Sequence, residues 1–349
     1  MVSFEERKRD HIEISLSSQS QSPVIDGLNG GFNDGFKKVE LIHEALPNLN
    51  FSDISLKTET LGLDLDTPLF VSSMTLGHSA SFAVNEVLAL VCQEKNMLMG
   101  VGSQRRQLED SEAKNECLRL RKKFPKLKVM GNLGLAQLIE TPIAQIQGLV
   151  DSLEAQAMII HTNPLQECIQ PEGTPRFRGG LAALEKLCAQ LSVPVILKET
   201  GCGFSLKTLA RLQETGLAAI DVSGRGGTHW GRVESQRLSA EQIQFSAGKT
   251  FADWGISTVD SILAAKSLQL TAEVWASGGV RTGLDAAKLL AMGASMVGMA
   301  QPLLAAALEG EEKLVQQIEQ LNYELMVAMF CTGTESVLEL RKGDVWKMK

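Results

Sequence analysis

The sequence predicts an α/β protein: a single (β/α)8 TIM barrel that follows an N-terminal extension. Three observations predict it. From Pro68 onward, short apolar runs alternate with amphipathic stretches; there are eight such runs; and each run is continuously apolar. Such runs, separated by helices, are typical of parallel strands that are covered on the outside. Eight units favour a closed barrel over an open doubly wound sheet in which one strand has been miscounted.

The predicted strands are apolar runs with few charges, at residues 69–73, 97–101, 128–132, 158–161, 195–198, 219–222, 274–277 and 296–299. The predicted helices are 79–95, 112–124, 142–153, 181–191, 205–215, 257–267 and 283–292, with a last helix after Gln301. The connection 224–271 is long enough to predict a functional loop. Residues 1–67 are poorly periodic, and 27–35 reads as a glycine-rich loop. We interpret 1–67 as an extension that contributes to the active-site mouth of the barrel, 68–349.

Composition argues against several classes of partner. The 349 residues carry a net charge of −7, and only 5% of them are aromatic. An acidic chain with few aromatic residues is a poor match for nucleic acid or for an anionic membrane. The six cysteines form no C-x-x-C pair, and no apolar run is long enough to span a bilayer. The first ten residues lack the apolar segment of a signal peptide, so we expect a cytoplasmic protein.

Polar, charged or small residues lie at or just after the end of nearly every predicted strand, where barrels carry their active sites. In strand order they are Ser72, Ser73, Met74 and Thr75; Ser103, Gln104 and Arg105; Asn132; His161, Asn163, Gln166 and Glu167; Lys198; Ser223 and Thr228; Gly279 and Arg281; Ala300 and Gln301. The carboxyl ends of barrel strands meet at one face. The pattern therefore predicts one ligand-binding mouth.

The turns after strands seven and eight predict a phosphate site. Residues 277–281 and 298–301 are rich in small residues, and each turn precedes a helix. Small residues let the backbone approach a phosphate, and helix N-termini offer unpaired N–H groups. Lys198 ends the apolar run of strand five. We interpret it as a ligand contact in the barrel mouth rather than as a side chain that extends to bulk solvent.

Two further features have open interpretations. Glu167 is either a solvated loop carboxylate or a magnesium ligand, because one carboxylate together with substrate phosphates and water can hold Mg²⁺. Arg7, Lys8 and His11 concentrate positive charge near the N-terminus of an acidic chain. That cluster is either a disordered basic tip, which these residues alone favour, or a clamp that folds over the barrel mouth.

Together these motifs resemble type II isopentenyl-diphosphate isomerase, an FMN-dependent family. The resemblance covers most of the chain and is carried by R-K-x-x-H at 7–11, S-M-T at 73–75, G-S-Q-R at 102–105, G-N-L-G at 131–134, H-x-N-x-x-Q-E at 161–167, P-E-G at 171–173, K-E at 198–199, D-x-x-x-x-G-G-T at 221–228, W-G-I at 254–256 and A-S-G-G-V-R at 276–281. The S-Q-R and Q-E pieces, in this order, are more specific than the S-G-G turn. The chain departs from the family pattern at Leu76 and at His229-Trp230.

The resemblance implies FMN contacts from Ser72, Ser73, Met74, Thr75, Ser103, Asn132, Lys198, Ser223, Thr228, Gly279, Arg281, Ala300 and Gln301. It implies substrate contacts from Arg7, Lys8, His11, Ser103, Gln104, Arg105 and Gln166, and catalytic-pocket roles for His161, Asn163 and Gln166. Glu167 would be the Mg²⁺ ligand. The implied reaction converts isopentenyl to dimethylallyl diphosphate, with reduced FMN as the acid–base group and NADPH as the reductant of FMN. The family also implies a homotetramer or larger homo-oligomer.

Three alternatives remain at this point. An FMN-dependent dehydrogenase or oxidase on the same barrel could use His229, which follows the G-G-T loop. An isomerase could work by side-chain catalysis through Glu167 and Cys168, although we expect Cys168 to be a buried, inert thiol. A flavin-binding protein without turnover would not need the Q-E and R-K-x-x-H pieces.

Overall fold

The computed structural model describes residues 35–73 and 79–349, together with residues 10, 11, 13, 14, 16 and 17. Eight parallel strands close into a barrel, which confirms the predicted fold. They are β4 (Leu69–Val71), β5 (Leu98–Gly100), β6 (Lys128–Gly134), β7 (Ala157–Thr162), β8 (Val195–Glu199), β9 (Ala219–Asp221), β10 (Glu273–Ser277) and β11 (Met296–Met299). The strands lie in chain order, and β11 pairs with β4 to close the barrel.

Helices surround the barrel, and every predicted helix is confirmed to within a few residues. Those with a predicted counterpart are α1 (Ser79–Glu94), α2 (Ser111–Lys123), α4 (Ile143–Leu153), α6 (Gly180–Gln190), α7 (Leu206–Leu212), α10 (Thr258–Lys266), α11 (Gly283–Ala291) and α12 (Gln301–Glu309). The structure adds α3 (Leu135–Glu140), α5 (Pro164–Ile169), α8 (Trp230–Gln236), α9 (Ile243–Thr250), α13 (Glu311–Cys331) and α14 (Val337–Lys342). In the ranges that the structure describes, no helix is long and apolar enough to cross a membrane.

Every strand contributes an apolar side chain to the centre of the barrel interior. These side chains are Phe70, Leu98, Met130, Ile159, Ile196, Ala219, Trp275 and Met296, and each is at most 1% exposed. Side chains alternate along a strand, so the residue two positions further on faces the same way. We call these next residues the mouth layer: Ser72, Gly100, Asn132, His161, Lys198, Asp221, Ser277 and Gly298.

Part of the described extension covers the end of the barrel opposite the mouth. Strands β2 (Thr58–Thr60) and β3 (Leu63–Leu65) form a hairpin whose Leu65 joins the interior cluster. Thr60 Oγ1 donates a hydrogen bond of 2.6 Å to Glu273, the first residue of β10. Strand β1 (Val39–Leu41) pairs with β12 (Trp346–Met348) near the end of the chain. The hairpin lies away from the mouth, and the division of the chain at residue 68 stays a prediction.

Replacing Trp275 with alanine is expected to destabilise the barrel strongly. Its ring is fully buried and lies 5.1 Å from the Phe70 ring, and its Nε1 donates to Glu273 at 3.0 Å. We expect Trp275→Ala to lower the free energy of unfolding by about 3–5 kcal/mol, measured by urea denaturation with circular dichroism. Trp254, which is 59% exposed, supplies the control, and Trp254→Ala should cost less than about 1 kcal/mol. Equal losses would contradict the interior packing described here.

Candidate functional site

Two adjoining clefts open at the carboxyl ends of the barrel strands. The glycine cleft, of about 650 Å³ counted out to its mouth, is lined by Gly201, Gly227, Gly278, Gly279 and Gly298 among others. The histidine cleft, of about 820 Å³, is lined by His11, Ser103, Arg105, His161, Gln166 and Glu167 among others. Ser73, Lys198, Thr200 and Trp230 line both.

Backbone approach shapes the glycine cleft. A Cβ atom on Gly227 would lie 2.7 Å from the Gly279 nitrogen, so the turns after β9 and β10 pack backbone against backbone. Arg281 donates to the carbonyls of Gly279 at 2.7 Å and Gly226 at 2.9 Å, which places a positive charge where the turns meet. Helix α12 begins beside them and has no side-chain cap, so the N–H groups of its first turn, apart from Pro302, which has none, are available to an anion.

A buried ion pair lies where the two clefts join. Lys198 Nζ donates to Asp221 Oδ2 at 2.6 Å and to Ser277 Oγ at 2.7 Å. The Ser277 hydroxyl lies 2.8 and 2.9 Å from the two carboxylate oxygens of Asp221. All three residues belong to the mouth layer, and none is more than 4% exposed. The predicted position of Lys198 in the mouth is therefore observed, together with two partners that had no predicted role.

A hydrogen bond with Asn132 orients the His161 ring. Its Nδ1 lies 2.7 Å from Asn132 Oδ1, and because an amide oxygen only accepts, Nδ1 carries the proton. A Cβ atom on Gly134 would lie 3.2 Å from His161 Nε2 and still closer to Gln137 Oε1. Glycine at 134 thus lets the imidazole and the Gln137 amide meet in the wall of the histidine cleft. Gln137 has no predicted role.

Glu234, also without a predicted role, fastens the N-terminal segment to the site. Its Oε1 lies 2.9 Å from both His11 Nε2 and Gln166 Nε2, and Arg237 Nη1 donates to Oε2 at 2.5 Å. The His11 ring also meets the Trp230 ring edge-on at 5.2 Å. Burial by itself would raise the pKa of Glu234, but the hydrogen bond and charge of His11, with Arg237 and Gln166, outweigh it and lower the pKa to about 2.

Most predicted FMN contacts gather in the glycine cleft. They are Ser72, Ser73, Lys198, Ser223, Thr228, Gly279, Arg281, Ala300 and Gln301. Ser103 and Asn132 line the histidine cleft instead, beside His161. Arg7, Lys8, Met74 and Thr75 lie outside the described residues. Thr200, Gly201 and Trp230 also line the glycine cleft, although the sequence pattern assigns them no contact.

Two predicted site residues support the wall of the histidine cleft and do not line it. Gln104 is 1% exposed; it accepts from Asn132 N at 2.9 Å and donates to Leu149 O at 3.1 Å. Asn163 caps α5 by accepting from Gln166 N, and it donates to Thr200 Oγ1 at 3.0 Å. Their contacts hold cleft residues in place. Direct contact of Gln104 with substrate, and of Asn163 with reacting atoms, stays a prediction.

Glu167 lines the histidine cleft, and its Oε2 accepts from Thr174 N at 2.5 Å. Among the described residues, no group of three or more His, Cys, Asp or Glu side chains could hold a metal ion. A cation at Glu167 would therefore need oxygens from a ligand or water. The expectation that Cys168 is buried is wrong: Cys168 is exposed, because α5 is a short helix at the rim of the barrel.

His229, the residue that favoured a redox alternative, does not line either cleft. It is fully buried, its Nε2 lies 3.0 Å from Trp254 O, and its Nδ1 accepts from Arg232 N at the start of α8. Burial lowers its pKa, so the neutral imidazole is favoured. His229 therefore acts as a helix cap.

The fold and site define a class of flavin-dependent barrel enzymes. A model of the family "FMN-dependent dehydrogenase" matches residues 119–347. An (S)-mandelate dehydrogenase chimera has a TM-score of 0.67 at 16% identity and covers 99% of each chain. A lactate oxidase from Pediococcus acidilactici has a TM-score of 0.63 at 19% identity and covers 99% of this chain and 94% of its own. At such identities the likeness shows the fold alone.

Closer relatives identify the branch of that class. Isopentenyl-diphosphate delta-isomerase of Bdellovibrio bacteriovorus is 51% identical over 346 residues, covering 98% of this chain and 97% of its own. The enzyme of that name from Legionella pneumophila strain Corby is 50% identical and covers 97% of each chain. The one from Synechococcus is 43% identical and covers 98% and 96%. The chain belongs to the isopentenyl-diphosphate delta-isomerase family, which confirms the resemblance carried by its motifs.

Glu234→Gln is expected to loosen the segment that carries His11. The carboxylate that holds His11 and Arg237 is lost, so amide hydrogens of residues 10–17 should exchange faster. Because the pKa of Glu234 is lowered from 4.5 to about 2, its stabilisation is present above pH 4.5 and is lost as the pH falls toward 2. The shift corresponds to about 3 kcal/mol at neutral pH.

The measurement is urea denaturation of both proteins across that pH range, with hydrogen exchange of the N-terminal peptide at neutral pH. Glu172→Gln is the control, because Glu172 contacts the same Arg237 at 3.4 Å but is partly exposed. A stability gap between wild type and Glu234→Gln that stays constant down to about pH 2 would show that the Glu234 carboxylate is not the group involved.

Proposed function

We propose that this chain binds FMN in the glycine cleft and isopentenyl diphosphate in the histidine cleft, and shifts the double bond to give dimethylallyl diphosphate. The observation that carries the proposal is the pair of clefts that share Ser73, Lys198, Thr200 and Trp230. The glycine cleft, which has anion-binding groups, therefore adjoins the histidine cleft, which has a cation and a carboxylate of its own. Membership in the isomerase family supports the choice of reaction.

The residues present fit FMN. The uncapped start of α12, the close glycine turns and Arg281 supply what a phosphate group needs. Ser73 Oγ is buried without a hydrogen-bond partner in the part of the chain that the structure describes. A buried hydroxyl in that state is costly, and a ligand at the junction of the clefts would satisfy it. When bound and reduced, FMN supplies a group that can give and take a proton.

The histidine cleft fits a diphosphate. Arg105 and His11 line it together with the Ser103 hydroxyl, and we propose that Arg7 and Lys8 join them from the same N-terminal segment. Each charge-assisted contact contributes about 1.5–3 kcal/mol. Glu167 would hold Mg²⁺ with diphosphate oxygens and water, because Mg²⁺ commonly uses one or two carboxylates plus substrate phosphates.

The protein side chains hold and orient the alkene. Asn132 fixes the proton of His161 on Nδ1, so Nε2 is the nitrogen without a proton when the ring is neutral. Glu234 holds the Gln166 amide, and the rings of His11 and Trp230, which both line the cleft, contact each other edge-on. The reaction adds one proton and removes another without net oxidation. The family resemblance supports NADPH as the reductant of FMN and a homotetramer or larger assembly. The six free cysteines support a cytoplasmic location, because free thiols are typical of a reducing compartment.

The two enzymatic alternatives are less well supported. A dehydrogenase or oxidase that uses His229 as its base would need that ring in the cleft, but it is buried as a helix cap. Side-chain catalysis through Cys168 would need the thiol beside the substrate. Cys168 is exposed, and it is not among the residues that line the histidine cleft.

The reaction itself tests the proposal. We expect isopentenyl diphosphate to become dimethylallyl diphosphate only with FMN, a reductant and Mg²⁺ present, and we expect the product to carry deuterium when the solvent is deuterated water. NADPH or dithionite should prime the flavin and then be spared over many turnovers. Consumption of one reductant per product would identify a redox enzyme instead. A protein that shows no flavin absorbance after reconstitution would not support FMN binding.

Glu167→Gln separates the metal from the flavin. The amide lacks the charge that holds Mg²⁺, so kcat/KM should fall by roughly 100-fold or more while the flavin spectrum is retained. The measurement is a Mg²⁺ titration of activity in both proteins. Cys168→Ser, at the next residue, should keep wild-type activity. An unchanged Mg²⁺ dependence in Glu167→Gln would refute the metal assignment, and an inactive Cys168→Ser would reopen side-chain catalysis.

A further inference from the structure

The mouth layer contains one cation and one carboxylate, Lys198 and Asp221. They are register partners on the neighbouring strands β8 and β9, so their side chains face the same way and meet at 2.6 Å. The layer beneath them is apolar, with Ile196 and Ala219 on the same two strands. A charge above such a layer is poorly screened, and its effect on a ligand in the cleft is larger than at the protein surface.

Ser277 of β10 forms hydrogen bonds with both members of the pair. The hydroxyl accepts from Lys198 Nζ and contacts both oxygens of Asp221. Two of the three ammonium protons are thereby directed at Asp221 and Ser277, which leaves one for the clefts that Lys198 lines. Asp221 is 1% exposed and does not line either cleft, so it acts on a ligand through Lys198.

We propose that Asp221 is a positioning residue that aims Lys198 and offsets its charge, and that this balance sets the reduction potential of the flavin in the cleft. The inference rests on the proposed binding of FMN. Charges near the flavin ring are a principal means by which proteins tune flavin chemistry. A neutral Lys198–Asp221 pair neither favours nor opposes a change of charge on the cofactor as strongly as either ion alone.

The sign of the effect follows from the electron count. Reduction of FMN to its anionic form takes up two electrons and one proton, so the cofactor gains one negative charge. Asp221→Asn leaves the Lys198 cation without its counter-charge, which favours the reduced form and raises the potential. Lys198→Gln leaves the Asp221 carboxylate without its cation, which disfavours the reduced form and lowers the potential. The two substitutions therefore act in opposite directions.

The experiment measures the midpoint potential of bound FMN by dithionite titration with a reference dye, at saturating FMN, in the reconstituted full-length protein. We expect Asp221→Asn to raise the ratio of reduced to oxidised flavin by about tenfold at a fixed potential. For two electrons this corresponds to a rise of roughly 29.6 mV in the midpoint potential. Lys198→Gln should lower it by about as much. Lys198→Gln tests the proposal even if Asp221→Asn does not fold, because a fall in the midpoint potential is expected for it independently.

Two control variants separate charge from packing. Ser277→Ala removes hydrogen bonds from both ions but changes no charge, and it should shift the ratio by less than about threefold. Glu273→Gln makes the same carboxylate-to-amide change on β10 at the opposite end of the barrel, where Glu273 contacts Thr60, and it should leave the potential unchanged.

Shifts of the same sign in Asp221→Asn and Lys198→Gln, or shifts in neither, would overturn the inference. So would a Ser277→Ala shift as large as that of Asp221→Asn. Failure of the wild-type protein to bind FMN is a separate outcome, because it would refute the proposed cofactor before any variant is compared.

Discussion

The fixed alternation of side chains along eight parallel strands is the constraint on which the site depends. Each strand gives an apolar residue to the barrel interior and, two residues later, one residue to the mouth. A shift of one position in β8 would turn Lys198 outward and bring Glu199 into the mouth. Strand register therefore decides both the packing of the core and the chemistry of the clefts, and neither can change independently of the other.

Two buried carboxylates show how the surroundings of a group decide its role. Glu234 faces His11 and Arg237, and its pKa falls to about 2. Burial raises the pKa of Glu199 to about 8, and it outweighs the backbone N–H groups of Cys202 and Gly203, whose hydrogen bonds to the carboxylate lower the pKa. Glu234 thus fixes a distant segment by charge. Glu199 fixes the turn that brings Thr200 and Gly201 into the glycine cleft, and it is largely neutral at pH 7.

The sequence predicts the barrel and its mouth because both follow from local periodicity. It does not predict partners that are far apart in the chain: Glu234 meets His11 across more than 200 residues, and no pattern within α8 signals that contact. The hairpin at 58–65 has strands of three residues, too short for a periodic signal. Gln104 shows a third limit, since a polar residue after a strand can line a ligand site or support its wall.

The two clefts are built from different parts of the chain. The glycine cleft is built from close backbone turns and a helix start, so its shape depends mainly on the main chain. The histidine cleft takes Gln166 and Glu167 from the short helix α5, and His11 from the extension. These elements add a cation, an amide and a carboxylate to a second pocket beside the cofactor cradle. Lys198 lines both clefts, so the buried ion pair that it forms with Asp221 lies where the proposed cofactor and substrate pockets meet.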